Sequence, residues 1–185
     1  MAGKQMFMTF KEADAAGAYD EYPMLPAHVD PQLHLSRNNC MQPFYLVCEK
    51  DCVLVQMSGS GRVRFAEGGV RYFRLAPGDF IYVPAGMPHR LEPETVSVQY
   101  RYKARVAGLE AVAWYCEKCG HALWRHTFDA TKSPPQLGYA EACANFNGNV
   151  ARRTCGACGS VHAEIDFPTE RWRRIADELG TGKPS

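Results

Sequence analysis

Residues 78–89 read GDFIYVPAGMPH, and the fold of the chain is best inferred outward from this stretch. It begins with a Gly-Asp turn, continues as a β-branched and aromatic strand over residues 80–83, and turns again at Pro84 and Gly86. His89 therefore stands at the start of the next strand. A lone histidine in a hairpin more often faces solvent than binds a metal, but the register of these twelve residues reverses that preference.

Strand and turn signals alternate along residues 33–103. Glycine-rich or Pro-Gly turn signals at residues 58–61, 67–69 and 76–79 separate short apolar runs. The predicted strands are residues 44–47, 52–57, 63–66, 70–75, 80–83 and 95–103. Many short strands at this spacing predict a mainly β barrel or sandwich.

The segments on either side of the strands carry different signals. Residues 10–16 have a short helical pattern, but Pro23, Pro26 and Pro31 exclude a long helix before the strands. Residues 106–114 form an apolar segment that leads into the first of two cysteine pairs.

A helix that packs on the barrel is predicted near the C-terminus. Thr169 is a suitable cap, Gly180 follows the last turn, and the apolar residues at helical spacing are Trp172, Ile175, Ala176 and Leu179. Residues 180–185 predict a frayed tail. We expect residues 1–110 to form the barrel with its N-terminal extension and residues 111–185 to form a metal-binding segment with the terminal helix.

Composition limits the functional classes. The chain has 185 residues, of which 46% are hydrophobic and 22% are charged, so it can bury a sizeable core. Its 21 Lys and Arg against 20 Asp and Glu give a formal charge of +1, which provides no overall field for nucleic acid or an anionic membrane. The start, MAGKQ, lacks the apolar core of a signal peptide. We therefore expect a cytoplasmic protein without a nucleic-acid or membrane partner.

Two Cys-x-x-Cys pairs give the strongest local signal. Cys116 with Cys119 and Cys155 with Cys158 can supply four thiolates in a tetrahedron, and a glycine follows each pair. The spacing predicts an iron or zinc site and disfavours disulfides. A four-sulfur set leaves no open coordination position, so the site is predicted to be structural, with electron transfer as the alternative.

No catalytic or metal-binding role is predicted for the remaining cysteines and the nearby histidines. We expect the other cysteines to be buried small hydrophobes; these are Cys40, Cys48, Cys52 and Cys143. The histidines near the cysteine pairs are expected to be surface residues; these are His121, His126 and His162.

The motif spacing carries a resemblance to a known family. A glycine, five residues, Pro84, one residue, Gly86, two residues and His89 resemble the second motif of the cupins. A barrel followed by two cysteine knuckles resembles the bacterial 3-hydroxyanthranilate 3,4-dioxygenases over roughly residues 25–165. The resemblance implies a cupin barrel, also called a double-stranded β-helix or jelly roll, with a rubredoxin-like C-terminal metal site remote from the chemistry.

The resemblance also implies an activity. In that family a non-heme ferrous ion, held by two histidines and a glutamate, binds an aminophenol substrate and dioxygen, and the aromatic ring is opened. We therefore expect a metal-dependent oxygenase that acts on an aminophenol or hydroxyanthranilate-like aromatic, with a carboxylate on the substrate. A homodimer is expected by analogy with other cupins.

Carried over by position, the family's site is only partly retained. His34 and His89 match the two metal-binding histidines, whereas Gln42 stands where the pattern has the glutamate ligand. Arg101 stands where the pattern has a second glutamate, near the substrate. Gln42 would be a weak neutral ligand, and an inward Arg101 would need an anionic substrate group between it and the metal.

Simpler alternatives exist for this strand and for the whole chain. Along residues 95–103 the polar side chains Ser97, Gln99, Arg101 and Lys103 alternate with apolar ones, and without the family register a solvent-exposed polar face is the simpler prediction.

The chain itself is predicted to be a diverged oxygenase. The alternatives are an ordinary hydroxyanthranilate dioxygenase, and a non-oxygenase cupin that binds a small anionic aromatic or acts as a structural partner.

Overall fold

The computed structural model describes residues 6–180, so the N-terminal start and the predicted frayed tail beyond residue 180 lie outside the described part. The helices in this part are α1 (Thr9–Ala13), α2 (Pro135–Asn147), α3 (Val150–Arg153) and α4 (Glu170–Gly180). The strands are β1 (Tyr22–Pro23), β2 (Gln32–Asn38), β3 (Tyr45–Cys48), β4 (Cys52–Ser58), β5 (Gly61–Phe65), β6 (Tyr72–Leu75), β7 (Phe80–Val83), β8 (His89–Pro93), β9 (Ser97–Lys103), β10 (Leu109–Tyr115) and β11 (Ala122–Asp129). No helix in residues 6–180 is long and apolar enough to cross a membrane.

The strands form two antiparallel sheets. The first sheet has the order β1-β2-β9-β4-β7, and the second has the order β11-β10-β3-β8-β5-β6. From β3 to β10 the chain changes sheet at almost every connection, which is the winding of a double-stranded β-helix. The mainly β cupin fold predicted from the sequence is therefore confirmed, together with the C-terminal cysteine segment and the terminal helix.

The stretch at residues 78–89 folds as its sequence indicates. Gly78 and Gly86 adopt positive φ angles of 95° and 78°, which glycine tolerates without strain. The Gly86 N–H donates to the Cys48 carbonyl at 2.8 Å and the Met87 N–H donates to the Pro84 carbonyl at 3.1 Å. This turn joins β7 to β8 and places His89 at the first position of β8, inside the barrel.

Two features of the C-terminal half differ from the sequence-based expectations. Helix α2 was not predicted, because exposed positions such as Leu137 and Ala144 are as apolar as buried ones such as Tyr139 and Phe146, so the sequence shows little amphipathic contrast. The expected division at residue 110 falls inside β10, which pairs with β3 and continues the second sheet of the barrel.

Helix α4 closes one side of the core. The Trp172 side chain is completely buried, stacks on Phe167 with ring centroids 4.5 Å apart, and donates its indole N–H to the Tyr19 carbonyl at 3.1 Å. Arg171 forms an ion pair of 2.6 Å with the fully buried Asp20. The C-terminal helix and the N-terminal extension are thus held together against the barrel.

Replacing Trp172 should therefore destabilise the whole domain. We expect Trp172→Ala to lower the free energy of unfolding by about 3–5 kcal/mol, because a large cavity opens and the Tyr19 carbonyl loses its donor. Urea unfolding followed by circular dichroism measures this. Arg173→Ala, on the exposed side of the same helix, is the control and should change stability by less than about 0.5 kcal/mol. Equal effects of the two variants would contradict the packing described.

Candidate functional site

The four cysteines of the two Cys-x-x-Cys pairs meet in one cluster. Their sulfur atoms all lie within 4.8 Å of one another. Cys116 Sγ is 3.6 Å from Cys158 Sγ, and Cys119 Sγ is 3.6 Å from Cys155 Sγ. A tetrahedral ion with metal–sulfur bonds of about 2.3 Å needs sulfur separations of about 3.8 Å, so the cluster fits zinc or iron.

Each cysteine pair is shaped by the same backbone turn. The Gly120 N–H donates to the Cys116 carbonyl at 2.8 Å, and the Gly159 N–H donates to the Cys155 carbonyl at 2.8 Å. Both glycines have positive φ angles, of 75° and 71°. The Ser160 hydroxyl lies 2.8 Å from Cys158 Sγ and can donate to a thiolate there. The two glycines after the pairs are therefore required by backbone geometry.

His89 lies inside the barrel with no solvent exposure. Its Nδ1 is 3.0 Å from the Met87 carbonyl, so this nitrogen carries the proton and Nε2 is left as an acceptor. Arg101 Nη1 lies 2.6 Å from His89 Nε2 and donates to it. The ring nitrogen that a barrel metal would need is thus occupied by a guanidinium.

Arg101 points into the barrel, not into solvent. The whole polar face of β9 is interior, so the simpler expectation of a solvent-exposed face is wrong; the buried residues of that face are Ser97, Gln99, Arg101 and Lys103. Arg101 Nε forms a 2.8 Å ion pair with Glu21 Oε1, and Arg101 Nη1 lies 3.5 Å from Cys52 Sγ. The face stays inside because its charges find partners there.

A network of paired charges extends from Arg101 across the interior. Lys103 Nζ is 3.0 Å from Glu21 and 2.8 Å from Glu110 on the other sheet, and the Tyr139 hydroxyl reaches both carboxylates. Burial opposes the charge of Glu21, but Lys103 and Arg101 lower its pKa well below the ordinary value. Burial likewise opposes the charge of Lys103, but Glu110 and Glu21 raise its pKa. The charges of Glu21 and Lys103 are therefore maintained at neutral pH.

Sequence reasoning did not identify Glu21, Glu110 or Tyr139 as members of this network. One signal was available, because Glu110 is a single charge in the otherwise apolar strand LEAVAWY. Glu21 comes from the N-terminal extension, where its φ angle of 45° directs the chain inward, and nothing local in the sequence indicates this contact.

Gln42 is held away from any ligand role. Its side-chain Oε1 accepts the Leu91 N–H at 3.1 Å, and its own backbone N–H donates to the Leu91 carbonyl at 2.9 Å. The side chain is buried and acts as a strand-like connection between the loop before β3 and strand β8. Its oxygen is committed to this backbone contact.

His34 lies on β2 directly opposite Arg101 on β9. Its Nδ1 is buried and has no hydrogen-bond partner. It borders a cavity of about 10 Å³, no larger than one water molecule, that is also lined by Glu21 and Ser36. Burial, together with the positive charge of Lys103, lowers the pKa of His34 to about 4, so the imidazole is neutral at pH 7.

The barrel residues do not fit the ferrous site that the family resemblance implies. Among the described residues only the four cysteines form a group of three or more potential metal-binding side chains. The structure brings Cys116, Cys119, Cys155 and Cys158 together. In the barrel, by contrast, Arg101 contacts His89 Nε2 and the Leu91 N–H donates to Gln42 Oε1. A guanidinium beside His89 also repels a dication, which makes metal binding there unfavourable.

The other cysteines divide into two kinds. Cys48, Cys52 and Cys143 are buried as expected, whereas Cys40 is exposed, which corrects the prediction for that residue. Cys40 is exposed because it follows the end of β2 in a surface turn. Cys48 donates a hydrogen bond to Cys52 and, against the effect of burial, lowers the pKa of the Cys52 thiol.

A cleft lies between the barrel and the cysteine segment. It has a volume of about 470 Å³, within the range that accommodates small molecules. Arg90 and Lys118 provide cationic groups at its wall, and Glu117, Glu164 and Asp166 provide anionic ones. The apolar part of the lining is formed by Met41, Pro43, Leu123, Val161, Ile165 and Phe167.

Parts of this chain are similar to known proteins. A 3-hydroxyanthranilate 3,4-dioxygenase of Yarrowia lipolytica is 30% identical over 99 residues, which cover 51% of this chain and 57% of that protein. The protein of the same name from Lodderomyces elongisporus is 27% identical over 107 residues, covering 56% and 59%. A solved cupin-2 domain protein from Shewanella frigidimarina is 15% identical, with a TM-score of 0.45, over 54% of this chain and 94% of its own.

The family assignment depends on a family profile that matches more of the chain than these relatives do. The chain spans about half the length of the curated relatives it matches. The family profile described as AraC-like ligand binding domain matches residues 52–165, which include most of the barrel, helix α2 and the cysteine cluster. Because this match covers more than half of its length, the chain belongs to the family of AraC-like ligand binding domains, and its curated relatives are named 3-hydroxyanthranilate 3,4-dioxygenases.

Proposed function

We propose that this chain is a non-oxygenase cupin that binds a small carboxylated aromatic molecule and uses its four-cysteine site as a structural metal centre. One observation carries the proposal: Arg101 Nη1 occupies the position beside His89 Nε2 that a catalytic metal would require. The protein keeps the barrel of the dioxygenase relatives but fills its interior with paired charges.

Exchanging this arrangement for a metal would be costly. Displacing Arg101 would leave Glu21 with Lys103 as its only cation and would remove the donor to His89. Breaking a buried ion pair costs about 3–5 kcal/mol, because the remaining charge stays buried without its partner. Gln42 offers no compensating negative charge. These costs favour the ion-pair network over a bound ferrous ion.

The cleft beside the cysteine cluster is the better candidate for the ligand. The barrel cavity of about 10 Å³ cannot hold an aromatic ring, whereas the cleft has about 470 Å³. Arg90 Nη1 contacts Glu117, whose side chain is 61% exposed and can give way to a ligand carboxylate. Lys118 adds a second cation on a lining that also carries the anionic Glu164 and Asp166, and the apolar wall suits a ring.

The four cysteines would hold zinc or iron. When bound, the metal supplies a closed four-thiolate centre that links the loop after β10 to the loop after α3. Residues 116–119 and 155–158 are otherwise joined mainly by side-chain contacts, so this link also fixes one wall of the cleft.

A second candidate is a metal-dependent oxygenase that acts on an aminophenol or hydroxyanthranilate-like aromatic. The names of the curated relatives support it, and all of the relatives reported above that are named as enzymes are dioxygenases. It requires Arg101 to leave His89 before a metal can bind.

By analogy with other cupins we also propose a homodimer, which the exposed Phe80 and Tyr82 on the edge strand β7 would suit.

Metal content separates the two candidates. We expect one zinc or iron per chain by elemental analysis of protein purified without oxygen, and the same value in a His34→Ala, His89→Ala double variant. A Cys119→Ser, Cys158→Ser double variant should lose the metal, whereas Cys143→Ser, a buried cysteine outside the cluster, should retain it. Two metals falling to one in the histidine variant, with oxygen uptake on aminophenols, would establish the oxygenase.

Ligand binding in the cleft can be tested with matched probes. We expect 3-hydroxyanthranilate to bind more tightly than 2-aminophenol, which lacks the carboxylate, in isothermal titration calorimetry. Lys118→Gln should weaken the binding of 3-hydroxyanthranilate about fivefold to tenfold, because it removes a charge-assisted contact to the carboxylate. Lys132→Gln, with an 81% exposed side chain elsewhere on the surface, should leave the affinity unchanged. Equal binding of the two probes would contradict the proposed carboxylate recognition.

The neutral His34 gives the stability a specific pH dependence. The unfolded imidazole is protonated near pH 6.5 and the folded one only near pH 4, so the unfolded state binds more protons in between. Stability is therefore complete above pH 6.5 and is lost as the pH falls towards 4. Between pH 7.5 and pH 5 we expect wild type to lose about 1–2 kcal/mol more than His34→Gln in urea unfolding. His121→Gln, at an exposed histidine, should behave like wild type.

A further inference from the structure

The outer face of the second sheet carries a cluster of arginines around one carboxylate. Arg62 lies opposite Glu92 and Arg74, and Arg64 lies opposite Arg90, so these side chains project from the same face of neighbouring strands. Arg62 Nε is 2.5 Å from Glu92 Oε2, and Arg64 Nε is 2.7 Å from Glu92 Oε1. We call the cluster of Arg62, Arg64, Arg74 and Glu92 the arginine clamp.

The clamp is rigid at its base and open at its tip. The Glu92 side chain is only 9% exposed, and Arg90 Nη2 holds it from the cleft side at 3.0 Å. Arg62 and Arg64 each use Nε for this contact, and within residues 6–180 their terminal Nη groups have no hydrogen-bond acceptor in the protein. The Arg62 guanidinium also lies 5.6 Å from the centre of the Tyr72 ring, which limits its movement.

The charges of the clamp do not balance. Arg62, Arg64 and Arg74 carry three positive charges around the single negative charge of Glu92, so the clamp has an excess of two. Arg74 is exposed, and in the described part of the chain it has no hydrogen bond or ion pair. Arg90 adds no further excess because the exposed Glu117 offsets it. Arginines this close repel one another unless an anion lies between them.

A phosphate dianion matches both the charge and the donors. It has two negative charges at neutral pH and several acceptor oxygens, and arginine forks bind phosphate oxygens in pairs. A carboxylate has one charge and would leave one cation uncompensated. We propose that the arginine clamp is a binding site for the phosphate group of a small phosphomonoester, with Arg62 and Arg64 as the oriented donors and Arg74 as the outer cation.

This site is separate from the cleft and goes beyond the proposed function. The clamp opens on the outer face of β5 and β6, whereas the cleft lies between the barrel and the cysteine segment. Arg90 borders both sites, because it lines the cleft and pairs with Glu92. Lys118→Gln therefore tests the cleft, and Arg74→Gln, which breaks no contact with Glu92, tests the clamp. Failure of either proposal can be recognised without the other.

Titration with inorganic phosphate tests the clamp directly. Calorimetry at pH 7.5 and constant ionic strength, set with chloride, should show one saturable site per chain. An Arg62→Gln, Arg64→Gln double variant should bind at least tenfold more weakly. Arg74→Gln should weaken binding about threefold to fivefold. Because this substitution breaks no contact within the protein, the variant is expected to fold normally.

Arg125→Gln is the matched control. Arg125 lies opposite Ala113 on β10 and so belongs to the same sheet, far from the clamp, at the β11 edge. It should leave phosphate binding unchanged. The proposal would be overturned by the absence of saturable phosphate binding, by unchanged affinity in both clamp variants, or by a single-stranded oligonucleotide that binds more tightly than phosphate and is weakened equally by Arg125→Gln. The last result would indicate a surface for a nucleic-acid backbone.

Discussion

The hydrogen bond from Arg101 to His89 is the contact on which the interior of this barrel depends. It joins the first sheet to the second at the place where a metal-dependent cupin would hold its ion. Glu21, in the N-terminal extension, forms an ion pair with Arg101. Lys103 forms ion pairs with both Glu21 and Glu110. The extension, both sheets and helix α2, through Tyr139, are therefore connected by one set of buried charges.

Such a network does not need to add much net stability to be retained. A well-paired buried ion network roughly offsets its own desolvation, but loss of any member leaves an unpaired charge and is strongly destabilising. The arrangement therefore fixes the register of β9 against β2 and β4, where Arg101 lies between His34 and Leu54. It also removes the vacant volume and the free imidazole nitrogen that metal chemistry would require.

The sequence predicted most of the fold because the strands are short, alternate in polarity and are separated by glycine and proline turns. The cysteine cluster could also be predicted from the sequence, because the spacing within each Cys-x-x-Cys pair is local. Helix α2 was not, because its exposed face carries Leu137 and Ala144 and so differs little in polarity from its buried face. The orientation of Arg101 and the partnership with Glu21 could not be derived either. Both depend on contacts between residues about 80 positions apart, and the alternation along β9 is the same whichever face is buried.

The most direct test of this account is anomalous diffraction from crystals grown with ferrous iron in the absence of oxygen. Data at the iron and zinc absorption edges would locate each bound metal. The account predicts one peak, surrounded by the sulfurs of Cys116, Cys119, Cys155 and Cys158, with Arg101 still hydrogen-bonded to His89. A second peak at His89 Nε2, with the Arg101 guanidinium displaced from it, would contradict the account.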